Sequence, residues 1–221
     1  MQRDTKGKIT LLDLARRYIK ERYAKPGRVF VGMVHRLDGP VAGVVALART
    51  SKAASRLSAQ FRERAVVKTY LSVVQGRPPR PEGRLEHHLV RNGRFCRAHS
   101  AERPGSRKAA LSYRTLDHQK HQSLLEITLE SGRRHQIRTQ LSAVGCPIVG
   151  DRAYGADQHL GDGAIALIAH RLQFNHPTLK TEITVETPPP MMWPWSTSYA
   201  DDHRPLWTIE AFWADGLHVP E

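Results

Sequence analysis

Short apolar runs rich in β-branched residues, with polar or Gly/Pro breaks between them, leave this chain little choice but a sheet. Lys68-Thr69-Tyr70-Leu71-Ser72-Val73-Val74 reads as a strand, stopped by Gly76 and the turn-rich Pro78-Pro79-Arg80-Pro81. Residues 110–116 and 125–130 are expected to pair as an antiparallel hairpin, because polar residues separate them, and Ser131-Gly132 closes the second. Further strands are expected at 165–170 and 183–186, before Pro188-Pro189-Pro190 ends the compact region at residue 190. No crossover helices alternate with these runs and no internal repeat is present, so the expected class is α+β with a mainly antiparallel mixed sheet and flanking helices.

Three segments carry helical spacing instead. Leu11, Leu14, Ala15, Tyr18 and Ile19 recur on one face from Thr10 to about Ala24, and Thr10 with Asp13 makes a capping box. Thr50-Ser51 caps a second helix with Ala54, Leu57 and Phe61 inward, and a third opens near Arg134 and stops at Gly145-Cys146-Pro147. Residues 29–34 and 43–48 read as two buried strands flanking His35-Arg36-Leu37-Asp38. Residues 84–108 show no clear period and read as a basic loop or short hairpin.

The formal charge of +13 is unevenly spread: residues 182–221 sum to −6, leaving +19 on residues 1–181. Such a balance suits a polyanionic partner, with nucleic acid favoured over a basic surface that merely aids solubility. Residues 191–221 are acidic and hold all four tryptophans, which sets them apart as a tail to a domain of residues 1–190. Two cysteines, Cys96 and Cys146, are too few for a disulfide framework and fit a reducing compartment. No metal is expected, because the closest groupings (His87-His88, Cys96 with His99, His118 with His121) lack a second matching pair. No run is long enough to span a bilayer and no apolar leader follows Met1, so a cytoplasmic protein without membrane attachment is expected.

Three places offer chemistry, each with a plainer reading beside it. Asp38 follows an apolar segment and has His35 and Arg36 close in sequence, which would hold a carboxylate ionised in a partly dry site; an Asp before Gly-Pro is also a common turn former. Gly132-Arg133-Arg134-His135-Gln136-Ile137-Arg138 sets guanidinium groups beside a helix N-terminus, either a phosphate cradle or a solvated basic helix. Tyr70 is a core residue or a ring offered to a base, with Lys68 next to it.

Taken together and in order, His35-Arg36-Leu37-Asp38, Lys68-Thr69-Tyr70, Gly132 to Arg138 and Pro147-Ile148-Val149-Gly150-Asp151 resemble the RluA-type pseudouridine synthases. The resemblance runs from about Phe30 through Leu172, Phe174 and His176-Pro177 to the prolines at 188–190. It implies the pseudouridine synthase fold with a central RNA-binding cleft, and isomerisation of uridine in ribosomal or transfer RNA. In that reaction the N1–C1′ bond breaks, the uracil turns and a C5–C1′ bond forms, with no cofactor or metal. By motif, Asp38 takes the place of the essential aspartate, Tyr70 that of the tyrosine packed on the target base, and Arg138 that of the arginine paired with the aspartate. Substrate contacts are then expected from His35, Arg36, Lys68, Arg133, Arg134, His135 and Gln136.

The uracil must leave its stack, at a cost of a few kcal/mol that stacking and phosphate contacts offset. Two departures from the family pattern bear on this. Ala42-Gly43 stands where a hydroxyl residue usually precedes the glycine, so a supporting hydrogen bond is expected to be lost. A leading strand with an Asn-Lys-Pro-like motif is not found ahead of His35, which implies a truncated or mis-started N-terminus. Fewer than forty residues precede Asp38, so RNA selection is expected from the catalytic domain, acting as a monomer. The competing reading is an RNA-binding protein that keeps the fold without turnover; Ala42 and the missing strand favour it, whereas Asp38, Tyr70 and Arg138 favour the enzyme.

Overall fold

The computed structural model describes residues 9–161, 163–190 and 193–195. In chain order the elements are α1 (Leu11–Arg22), β1 (Gly32–Met33), β2 (Ala42–Gly43), β3 (Leu47–Ala48), α2 (Ser51–Arg62), β4 (Val67–Gln75), β5 (Glu82–Asn92), β6 (Phe95–His99), β7 (Arg107–Gln119), β8 (Gln122–Leu129), α3 (Gln136–Ala143), a 3-10 turn at Arg152–Tyr154, β9 (Leu167–Asn175) and β10 (Glu182–Glu186). The chain divides into two units: Met1–Gly39, Val45–Val66 and Phe174–Ile183 form the first, Pro40–Val44, Val67–Gln173 and Thr184–Glu221 the second.

In the first unit α1 starts as its sequence dictates. The Thr10 side chain accepts from the Asp13 N–H while the Asp13 carboxylate takes the Thr10 N–H, which satisfies two orphan donors reciprocally. Thr50 caps α2 by accepting the Ala53 N–H. The apolar face expected of α1 is covered in part: Ile19 is buried and Leu11, Ala15 and Tyr18 are half-buried, but Leu14 is exposed. The two buried strands expected at 29–34 and 43–48 shrink to β1 and β3, which pair antiparallel over two residues each, with Phe30 exposed. Apolar composition marked segments that pack but scarcely pair, since the ladder partner a strand needs extends over only two positions here.

The second unit is built on an eight-stranded sheet in the order β10-β9-β4-β8-β7-β5-β6, with β2 beside β9. The β9–β4, β4–β8, β8–β7, β7–β5 and β5–β6 pairs are antiparallel and β2–β9 is parallel, the mixed but mainly antiparallel arrangement expected. Residues 84–108, expected as a basic loop or short hairpin, hold the β5–β6 hairpin, and β5 also pairs with β7 over residues 82–89. The alternation was hidden because the inward positions Leu85, His87 and Leu89 include a histidine, and Arg84, Glu86 and His88 face outward.

Val73, Val74, Leu111, Leu125, Ile127, Ile137, Leu141, Ile148 and Val149 form the core of this unit, with α3 laid on it. Trp195 is buried in the same core and Trp193 packs against it, so packing continues past the prolines at 188–190. Trp207 and Trp213, the remaining tryptophans of the expected tail, lie outside the described residues.

Candidate active site

In the first unit the segment His35-Arg36-Leu37-Asp38 is anchored at alternate residues. The His35 ring stacks on Phe61 of α2 with centroids 4.5 Å apart, and its Nε2 accepts the Ala46 N–H at 2.8 Å. An imidazole nitrogen that accepts carries no proton, so the ring is neutral with its hydrogen on Nδ1. Leu37 is buried, while Arg36 is exposed and Asp38 half-buried at the entry to the Gly39-Pro40 turn. His35 and Leu37 thus hold the segment down and leave Arg36 and Asp38 toward the outside. His35, expected among the substrate contacts, is a brace in this unit.

The second unit gathers another group. β4 carries Lys68 and Tyr70, with a register shift against β9 between Thr69 and Tyr70. Tyr70 is half-buried and packs against the core. Lys68 reaches the loop after β8: a Cβ placed on Gly132 would lie 3.3 Å from its Nζ. Strand pairing of β4 with β8 therefore brings the ammonium group to the foot of the arginine segment, although the two are distant in sequence.

That segment turns on His135, which sits in the left-handed region at φ 52° and forms the N-cap of α3 without a side-chain cap bond. Gln136 ties the loop instead. Its Oε1 accepts from Ser131 Oγ at 2.8 Å and from the Arg133 N–H at 3.0 Å, while Nε2 donates to the Ala110 carbonyl at 2.9 Å. With its amide engaged at both ends and only 3% exposed, Gln136 shapes the loop. Arg134 is exposed and donates to the Arg94 carbonyl of the β5–β6 turn at 3.1 Å; Arg133 is half-buried and donates to the Lys108 carbonyl at 3.3 Å.

Arg138, on the first turn of α3, is buried and grips Asp151 in a two-point fork, Nε to Oδ2 at 2.7 Å and Nη2 to Oδ1 at 2.8 Å. Its guanidinium also lies over the Tyr154 ring, 4.8 Å from the centroid. The Tyr154 hydroxyl meets the Cys96 N–H at 2.9 Å and His135 Nδ1 at 2.7 Å, and burial pushes this phenol above its ordinary range. Sequence reading gives Asp151 and Tyr154 no role. Besides its place in the Pro147–Asp151 segment, the signal was an aspartate closing the apolar run Ile148-Val149-Gly150, where a carboxylate has to find a buried partner.

Among the described residues no group of three or more His, Cys, Asp or Glu side chains is gathered as a metal site, and no helix is long and apolar enough to cross a membrane. The model of one protein family, described as RNA pseudouridylate synthase, matches residues 3–143. The chain belongs to the RNA pseudouridylate synthase family. Among relatives of this synthase-family chain, ribosomal large subunit pseudouridine synthase D of Neisseria meningitidis serogroup A is 33% identical over 170 residues, covering 72% of this chain and 45% of that protein. The tRNA pseudouridine synthase C of Pectobacterium carotovorum is 30% identical over 206 residues, 83% of this chain and 51% of that one. A solved structure, Human RNA Pseudouridylate Synthase Domain Containing 4, shares the fold at a TM-score of 0.71 with 23% identity, over 85% of this chain and 82% of that one. The chain spans about half the length of the curated relatives it matches.

Proposed function

We propose that this chain is an RNA pseudouridine synthase that isomerises a uridine of ribosomal or transfer RNA, working in the cytoplasm as a monomer. The observation that carries the reading is the buried, fork-held guanidinium of Arg138 one turn into a helix whose approach is lined by Arg133, Arg134 and Lys68. A buried cation with further cations around it suits a substrate that brings both phosphates and a developing charge to one place.

In this reading Asp38 is the catalytic carboxylate. It acts as nucleophile or general base on the nucleoside while the N1–C1′ bond breaks, and is released once C5 is joined to C1′ and the C5 proton has left. Arg138 supplies a fixed positive charge to the reaction, and Tyr70 stacks on the flipped uracil in place of its former neighbours. Lys68, Arg36, Arg133, Arg134 and His135 contact the RNA; His35 and Gln136 support the segments that do so. Uridine and pseudouridine have the same composition, so no co-reactant is consumed.

The test is to incubate the protein with unmodified transcripts of ribosomal and transfer RNA and map new pseudouridines. Wild type is expected to modify defined positions; Asp38→Asn is expected to modify none while binding RNA within about threefold of wild type. Turnover by Asp38→Asn would sink the assignment, and binding without turnover by wild type would make the chain a non-catalytic RNA binder.

A further inference from the structure

We propose that Asp151, backed by the ring of Tyr154, is the positioning residue that sets the plane of the Arg138 guanidinium for the reaction. The inference rests on the functional reading of Arg138 given above and adds to it the group through which that arginine is aimed. An arginine side chain reaches its target through several rotatable bonds, so its planar fork is useful in catalysis only where something else fixes it. Asp151 occupies the Nε and Nη2 edge of the guanidinium at 2.7 and 2.8 Å, and two parallel bonds to one carboxylate define a plane as well as a position.

Asp151 is itself held by its backbone. Its N–H donates to the Ile148 carbonyl at 2.9 Å, and its own carbonyl accepts the Tyr154 and Ala156 N–H groups at 2.9 and 3.1 Å. At 1% exposure its carboxylate is shut away from water, so the pair exists as a pre-set unit and not as a surface contact that forms and breaks. Tyr154 closes another side. Its ring underlies the guanidinium, its hydroxyl joins β6 to the arginine segment through Cys96 and His135, and its carbonyl accepts from Ser142 Oγ of α3 at 2.7 Å. One short turn therefore ties together the helix, the hairpin and the cation.

The plainer alternative is an ion pair that only fastens α3 to the loop after it. The two differ in what a folded variant loses: a fastener affects stability, whereas a positioning residue affects kcat at full folding and acts only through Arg138. The experiment measures release of tritium from C5-labelled uridine in unmodified ribosomal and transfer RNA transcripts. It uses wild type, Asp151→Asn, Arg138→Gln, the double variant and Asp38→Asn, with circular dichroism at the assay temperature. Folded Asp151→Asn is expected to lose about 100-fold in kcat with KM within about threefold. In the Arg138→Gln background the same change is expected to alter kcat by less than about twofold, because nothing remains for Asp151 to aim.

Full kcat in folded Asp151→Asn, or losses that multiply in the double variant, would overturn the proposal. If Asp151→Asn does not stay folded, the neutral double variant compared with Arg138→Gln decides: equal rates uphold it and a further loss overturns it. Asp38→Asn keeps the two claims apart. Turnover there defeats the functional reading itself, whereas an inert Asp38→Asn beside a fully active Asp151→Asn defeats only the positioning role. Full turnover in Arg138→Gln overturns the role of both residues.

Discussion

Gly150 shows how narrowly single residues are specified around the buried ion pair. It holds φ +88°, and a Cβ there would come within 2.6 Å of the Ala164 carbonyl oxygen. Neither the backbone angle nor the space admits a side chain, so the turn leading into Asp151 depends on this glycine. Gly150→Ala is expected to lower unfolding free energy by about 1–3 kcal/mol, read from the urea midpoint at constant slope. An unchanged midpoint would mean that the loop relaxes freely. Gly43 makes the same kind of close approach, with φ +120° and a Cβ position 2.3 Å from the Ala169 oxygen. This is how the Ala42-Gly43 dipeptide fits beside β9, where the preceding residue is exposed and carries no buried hydroxyl.

Between elements, the junction of α3 with β5 is expected to respond to pH. Gln140 is fully buried, and its Nε2 donates to the Leu85 carbonyl at 3.0 Å and lies 3.2 Å from His87 Nδ1 and 3.3 Å from the Ala109 carbonyl. Burial holds the His87 pKa below its ordinary 6.5, so the unfolded chain takes up this proton more readily than the folded one. Stability from this residue is then complete above about pH 6.5 and declines as the pH falls through that value toward the lower folded pKa. Urea midpoints of wild type should fall on going from about pH 7.5 to 5, and the fall should be smaller in His87→Leu; parallel falls in the two proteins would remove His87 from the account. The same histidine explains part of what the sequence concealed. β4, β7 and β8 were legible because apolar residues alternate or run unbroken along them, whereas β5 puts His87 on its inner face and charged residues around it. The helices were legible through Thr10, Thr50 and Gly145, whose chemistry is local. The fork between Arg138 and Asp151 was not, because partners set by tertiary packing obey no spacing rule along the chain.

For the molecule as a whole, the formal charge of +13 overstates what is presented to RNA. On the outer face of the sheet Arg84 is bracketed by Glu130 and Glu86, Glu86 also meets Lys108 at 2.6 Å, and Arg114 meets Glu126. Those carboxylates are held below their usual pKa by these cations at Glu86 and Glu130, and they cancel charge that composition counts as available. RNA affinity is still expected to fall about tenfold or more between about 50 and 200 mM salt. Arg133→Gln and Arg134→Gln should each reduce the steepness of that dependence, and Arg84→Gln should scarcely alter it; an affinity indifferent to salt would point away from a polyanion. The order of the sheet has a further consequence, for the chain during its own synthesis. β4 lies between β8 and β9, and about 90 residues separate its end from the start of β9. At about 5–20 residues per second a ribosome needs roughly 5–18 s to supply them. Through that interval the nascent chain presents the flank of β4 that β9 will later cover, so a chaperone that shields strand edges has its natural window between the emergence of β4 and that of β9.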